Sequence, residues 1–143
     1  MYLKSLQAIT SKLTIYYDGS CPLCLAEIHF LKHHNKMGLL EFLSLQELDA
    51  NVDGVNCELA FKTIHAQLGE RTIIVGPDVF YEAYKRTNLR LINFIFSFSV
   101  ARFMYGKFYV VFAKYRHQIS KVIGPMLLSY VQRRYTSGKS IQA

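Results

Sequence analysis

The sequence predicts an α/β fold: a mixed four-stranded sheet flanked by helices, with a helical extension at its C-terminal end. Three observations predict it. β-branched and aromatic runs alternate with helix-period runs in the order β-α-β-α-β-β-α up to about residue 90, the pattern of a sheet with helices on its faces. The first of these strands ends directly in a Cys-x-x-Cys at a helix start. From Leu91 onward the chain becomes apolar, aromatic and basic, the composition of packed amphipathic helices.

The elements follow in order. Lys12 to Tyr17 carries the β-branched and aromatic content of a strand. Asp18-Gly19-Ser20 is a turn, and Cys21-Pro22-Leu23-Cys24 opens a helix, with Pro22 in the first turn where its missing N–H costs nothing. Leu25, Ile28, Phe30 and Leu31 continue that helix to a stop at Gly38. Leu39 to Leu45 is apolar on both faces and predicts a central strand covered on both sides. Asn56 is placed to cap a short helix through Phe61. Thr63 to Leu68 and Arg71 to Val75 form two strands joined by a tight reversal at Gly69-Glu70. Gly76-Pro77-Asp78 begins a helix reaching about Arg86, with Val79, Phe80, Ala83 and Tyr84 on its inner side. These elements make one domain over residues 12–90, and residues 91–136 make a basic aromatic extension packed on it.

The extension contains an apolar run from Leu91 to Ala113 long enough to cross a bilayer. Arg102 lies near its centre, where an arginine costs about 2.5–3.5 kcal/mol on insertion scales. Two amphipathic helices packed on the sheet are therefore expected, with a helix lying in a membrane interface as the alternative. A last helix, about Ile119 to Tyr135, contains Gly124-Pro125, which kinks or splits it.

The net charge of +7 hides an asymmetry: residues 1–82 carry all ten acids and a balance of −4, and residues 83–143 carry no acid and a balance of +11. The basic part either decorates solvated helix faces or meets an anionic partner, of which an anionic membrane surface is the first candidate. Nucleic acid is not favoured, because no recognised nucleic-acid motif accompanies the charge. Three cysteines, Cys21, Cys24 and Cys57, are too few and odd in number for a disulfide-stapled secreted fold. Met1 to Ser11 has no apolar stretch long enough for a secretory signal, so the expected location is cytoplasmic, with membrane-peripheral attachment as the variant.

Cys21 and Cys24 are the candidate catalytic pair. A helix N-terminus favours a thiolate, which lowers a cysteine pKa below its usual value of about 8.5. Cys21 is expected to be exposed and attacking, with Cys24 one turn on to resolve a mixed disulfide. Asp18 has two readings: a carboxylate that accepts a proton or tunes Cys24, or an Asx cap on the Gly19-Ser20 turn. Cys57 is expected to be buried packing. His29, His33 and His34 are expected to face solvent, and His65 to hydrogen-bond within the sheet. Lys114, Arg116, Lys121, Arg133 and Arg134 form the centre of the basic tail. The competing reading of Cys21 and Cys24 is a metal site completed by His29, His33 or Cys57, although no second paired motif accompanies it.

At Asp18, Cys21 and Cys24 the chain resembles the DCC family of thiol-disulfide oxidoreductases, named for that Asp-Cys-Cys set. Leu43-Ser44-Leu45-Gln46, Ile64-His65-Ala66, Gly76-Pro77-Asp78-Val79-Phe80 and the set Tyr109, Phe112, Ala113 and Arg116 resemble further family segments in the same order, from about Thr14 to Arg116. The resemblance implies a thioredoxin-like fold and a disulfide reductase acting on a protein or small-molecule disulfide with a thiol as electron donor. It implies no cofactor. Two departures stand out. The dipeptide between the cysteines is Pro22-Leu23 rather than Gly-Pro, and the place of the thioredoxin cis-proline, near Thr63 and Ile64, carries no proline.

Overall fold

The computed structural model describes residues 11–48, 57–70 and 72–136. Within them lie strands β1 (Leu13–Tyr17), β2 (Leu40–Ser44), β3 (His65–Leu68) and β4 (Thr72–Val75) in the sheet order β2-β1-β3-β4. β1 and β2 are parallel, with Leu13 opposite Leu40 and Tyr17 opposite Ser44. β3 runs antiparallel to β1, and β4 antiparallel to β3. Parallel neighbours need a crossover, and helix α1 (Pro22–His34) supplies it. The Asn35 side chain then brackets Leu40, donating to its carbonyl at 2.9 Å and accepting from its N–H at 3.1 Å. The β3–β4 hairpin reverses at Gly69, whose φ of 63° only glycine adopts cheaply. This strand order and sense are consistent with a thioredoxin-like fold.

The expected centre of the sheet is displaced by one strand. β2 is an edge strand with Leu43 37% exposed, and β1 is central, its Leu13 and Ile15 wholly buried. A short run of apolar residues marks burial on two sides without saying whether sheet or helix provides it; for β2 the outer side chains remain partly open. Leu13 and Ile15 pack with Ile28 and Leu31 of α1 and with Val79 and Ala83 of helix α3 (Pro77–Lys85). Tyr16, on the opposite face by strand alternation, packs with Leu45 and with Ala60 of helix α2 (Cys57–Lys62). The Asn56 cap and the Cys57 side chain lie outside the described residues.

Three helices follow: α4 (Arg90–Phe96), α5 (Ser99–Val122) and α6 (Gly124–Thr136). The expected split at Gly124-Pro125 is present, but the residues from Ile119 to Val122 belong to the single long helix α5. α5 sets Tyr105 and Tyr109 against Phe80 of α3, and Phe96 of α4 stacks on Tyr84. α6 lies along α1, where Tyr135 meets Phe30, His33 and His34. Those histidines are therefore half-buried packing partners rather than solvent-facing residues. His65 is buried and its Nδ1 lies 2.7 Å from the Thr63 carbonyl, as a sheet histidine should.

Candidate active site

The loop after β1 fixes the approach to α1. The Asp18 carboxylate accepts from the Ser20 N–H at 2.9 Å, the Ser20 hydroxyl at 2.6 Å and the Gln46 side-chain amide at 2.6 Å. The Gln46 carbonyl oxygen in turn accepts from the Gly19 N–H at 2.8 Å and the Ser44 hydroxyl at 2.8 Å. A Cβ on Gly19 would lie 2.8 Å from Ser44 Oγ and 3.0 Å from Gln46 Oε1, so only glycine lets the loop close this tightly on the end of β2. Burial works to raise the Asp18 pKa, but the hydrogen bonds from Ser20 and Gln46 and the charge of Arg116 carry it below the usual carboxylate value. The Asx cap expected of Asp18 is thus formed, and its charge also acts on Cys24.

Cys21 occupies the N-cap of α1, its sulfur accepting from the Cys24 backbone N–H at 3.4 Å. The Cys24 thiol donates to the same sulfur at 2.6 Å, and Ser120 Oγ of α5 lies 3.4 Å away. Ser120 Oγ also accepts from the Leu23 N–H at 3.3 Å, and toward an ionised Cys21 sulfur its hydroxyl is the donor. The bond from Cys24 lowers the Cys21 pKa most; burial opposes it, and Ser120, the Cys24 N–H and the Arg116 charge add to the lowering, to about 5. The Cys24 thiol is pushed well up, first because it donates to Cys21, then by burial and by the Cys21 charge. One proton is thereby held between two sulfurs and titrates as a property of the pair.

One expectation fails here. Cys21 is 5% exposed rather than open to solvent. The cover comes from the C-terminal helices: Ser120 sits over its sulfur, and Gly124 lies against the start of α1, where an added Cβ would be 3.0 Å from Pro22 Cβ and 3.1 Å from Leu23 N. Arg116 of α5 is buried too, and its guanidinium donates to the Phe61 carbonyl in the last turn of α2. From there its charge reaches Cys21, Cys24 and Asp18.

Cys24 faces a cavity of about 310 Å³. Its walls are largely apolar and aromatic, including Ile64, Phe80, Tyr105, Tyr109, Phe108 and Phe112. Tyr109 accepts from the Ile64 N–H at 3.4 Å, at the place before β3 where no proline stands. Glu27, one turn beyond Cys24 on α1, lines the cavity together with Asp18 and Arg116 and accepts from the Tyr84 hydroxyl. Burial raises the Glu27 pKa, and burial together with Glu27 raises that of Tyr84.

A family model described as DCC1-like thiol-disulfide oxidoreductase matches residues 15–122. The chain belongs to that family. The match runs from β1 through the end of α5 and so takes in Asp18, Cys21, Cys24, Gln46, Arg116 and Ser120, with Gly124 just beyond it. A chloroplast protein of Arabidopsis thaliana, described as uncharacterised, is 28% identical over 113 residues, or 76% of this chain and 53% of that protein. The chain therefore spans about half the length of that relative. No solved structure matches it.

In this DCC1-like chain the structure brings together all three residues expected at the site: Asp18, Cys21 and Cys24. It adds Gln46, Arg116 and Ser120, which the motif did not point to as site residues. Arg116 belongs by charge to the basic tail, and only its spacing with Tyr109, Phe112 and Ala113 marked it in the sequence. Ser120 carried no signal. Among the described residues no group of three or more His, Cys, Asp or Glu converges; the side chain of Cys57, one of the ligands named for the metal reading, lies outside them.

Proposed function

We propose that Cys21 and Cys24 carry thiol-disulfide exchange as a dithiol, with Cys21 attacking and Cys24 resolving, and that the substrate is a small apolar disulfide admitted through the cavity beside Cys24. The observation that carries the reading is the Cys21 sulfur at the N-cap of α1, held as a thiolate by hydrogen bonds from Cys24 and Ser120. The Cys21 thiolate attacks one sulfur of the substrate, and the other leaves as a thiolate that takes a proton from solvent. Cys24 then loses its proton and attacks Cys21 Sγ, closing the Cys21–Cys24 disulfide and releasing the second substrate thiolate. The substrate gains two electrons and the dithiol loses them; an external thiol restores it.

The pair explains its own timing. The leading cause of the high Cys24 pKa is its bond to the Cys21 sulfur. Once Cys21 is in a mixed disulfide, that bond and the Cys21 charge are both gone, so Cys24 ionises when it is needed. Support for a small substrate comes from the cover over Cys21 and from a largely aromatic cavity whose polar groups include the Glu27–Tyr84 pair.

The test is release of a coloured thiolate from a small aromatic disulfide by the reduced protein. Cys21→Ser is expected to lose this reaction by at least about 1000-fold, since no other thiolate is stabilised at the site. Cys24→Ser is expected to accumulate a mixed disulfide visible as added mass. Turnover that survives in Cys21→Ser overturns the assignment.

A further inference from the structure

Helix α5 buries one side and leaves another open in an ordered way. Val100, Met104, Phe108, Val111, Tyr115 and Val122 are all exposed, from 44% at Tyr115 to 80% at Val122. Their spacings of three, four and seven place them in a single row along the helix. Lys107, Lys114 and Lys121 are exposed as well and stand seven residues apart, each just before a member of that row. Lys107 lies 5.4 Å from the Phe103 ring and Lys114 5.6 Å from the Tyr115 ring, so their stems run over apolar surface. At the start of α5, helix α4 adds exposed Leu91 and Phe94.

An apolar row of about 33 Å left open in water is a liability unless something covers it. The charge beside it says what. Residues 83–143 contain no acid, so nothing on these helices repels an anionic surface. A protein partner would need matching carboxylates for a straight row of lysines. Anionic lipid headgroups supply negative charge at any spacing, and long lysine stems reach them while the apolar row sits in the acyl boundary. Among the described residues no single helix is long and apolar enough to cross a membrane; α4 and α5 have that length and composition only together, and they meet at 93°.

We propose that the exposed face of α5 docks on an anionic membrane surface, its apolar row in the acyl boundary and its lysine row among the headgroups. Phe108 belongs both to that row and to the wall of the cavity beside Cys24. The docked protein therefore places the edge of its site at the lipid.

Flotation of the full chain with phosphatidylcholine vesicles, with and without phosphatidylserine, tests this independently of any redox activity. The protein is expected to float with the anionic vesicles and to be released as salt rises. Reversing Lys107, Lys114 and Lys121 to Glu is expected to weaken binding by at least about 100-fold, from about fivefold per lysine lost and the added repulsion of the glutamates. Met104→Ser with Val111→Ser is expected to weaken it while leaving the alkylation profile of Cys21 unchanged. Failure to float with anionic vesicles, or binding that survives both high salt and lysine reversal, overturns the proposal. A dimer in solution that Val111→Asp dissociates also overturns it, because a second copy would then be the cover.

Discussion

The Cys21 sulfur is stabilised as an anion by three donors from two distant parts of the chain: the Cys24 thiol, the Cys24 N–H and the Ser120 hydroxyl. A group whose folded pKa is depressed contributes stability above its unfolded pKa and loses it as pH falls through the folded value. For Cys21 the window runs from about 9 down to about 5. The stability of the reduced protein relative to Cys21→Ser is expected to fall as pH is lowered across that window, measured by denaturant titration. Alkylation of Cys21 by iodoacetamide is expected to keep its rate down to pH 6 and lose it with a midpoint near 5. Ser120→Ala and Arg116→Met are each expected to move that midpoint up by about half to one pH unit, the worth of one hydrogen bond or partly buried charge. A midpoint that stays near 8.5 in the wild type would refute the thiolate at this site.

The Asp18-Gly19-Ser20-Cys21 loop owes its shape to Gln46 and Ser44 at the end of β2, and the start of α1 is held by Gly124 at the start of α6. Gly124→Ala gains a better helix former, but its methyl would meet Ser120 Oγ and Pro22 Cβ at 3.0 Å. The clash wins because both neighbours are fixed. A loss of about 1–3 kcal/mol is expected by thermal unfolding, together with faster alkylation of Cys21 as α6 moves off. Unchanged stability and alkylation would show that α6 does not press on the site. At this scale the elements were legible where a local signal was strong. Pro22 after Cys21, Gly76-Pro77 and Gly124-Pro125 all mark helix starts in the structure. The edge position of β2 was not legible, because Leu39 to Leu45 reads the same whether its outer face meets a strand or water. The continuity of α5 through Ile119 was open to reading: no glycine or proline falls between Lys107 and Val122, and the helix stops at Ile123 ahead of Gly124-Pro125.

The sheet and the C-terminal helices are joined through the site itself. Arg116 reaches the Phe61 carbonyl, Tyr109 the Ile64 N–H, and Ser120 the Leu23 N–H. Arg86, with no exposure, adds a tie from the end of α3 to the Ser11 carbonyl at 2.9 Å and to Glu82 at 2.8 Å. The links made by Arg116, Tyr109 and Ser120 cross the boundary at residue 90 that composition placed between sheet and extension, whereas Arg86 ties α3 to the start of β1. Thermal unfolding followed by far-ultraviolet circular dichroism and by tyrosine fluorescence is expected to give coincident transitions, as for one cooperative unit. Two separated transitions would show that residues 91–136 unfold alone.

The sequence by itself determined the α/β order, the dithiol at the head of a helix and the Asp18 turn, since each is written in neighbouring residues whose propensities act over one or two turns. The ordered motifs from about Thr14 to Arg116 also carried the family resemblance, which the family model over residues 15–122 bears out. Only the tertiary structure decided that Cys21 is covered, that Cys24 faces the cavity, and that Arg116 and Ser120 stand beside the sulfurs. Those facts depend on where a helix nearly a hundred residues away comes to rest. Its position follows from packing of many side chains at once, and no local pattern in the chain encodes it.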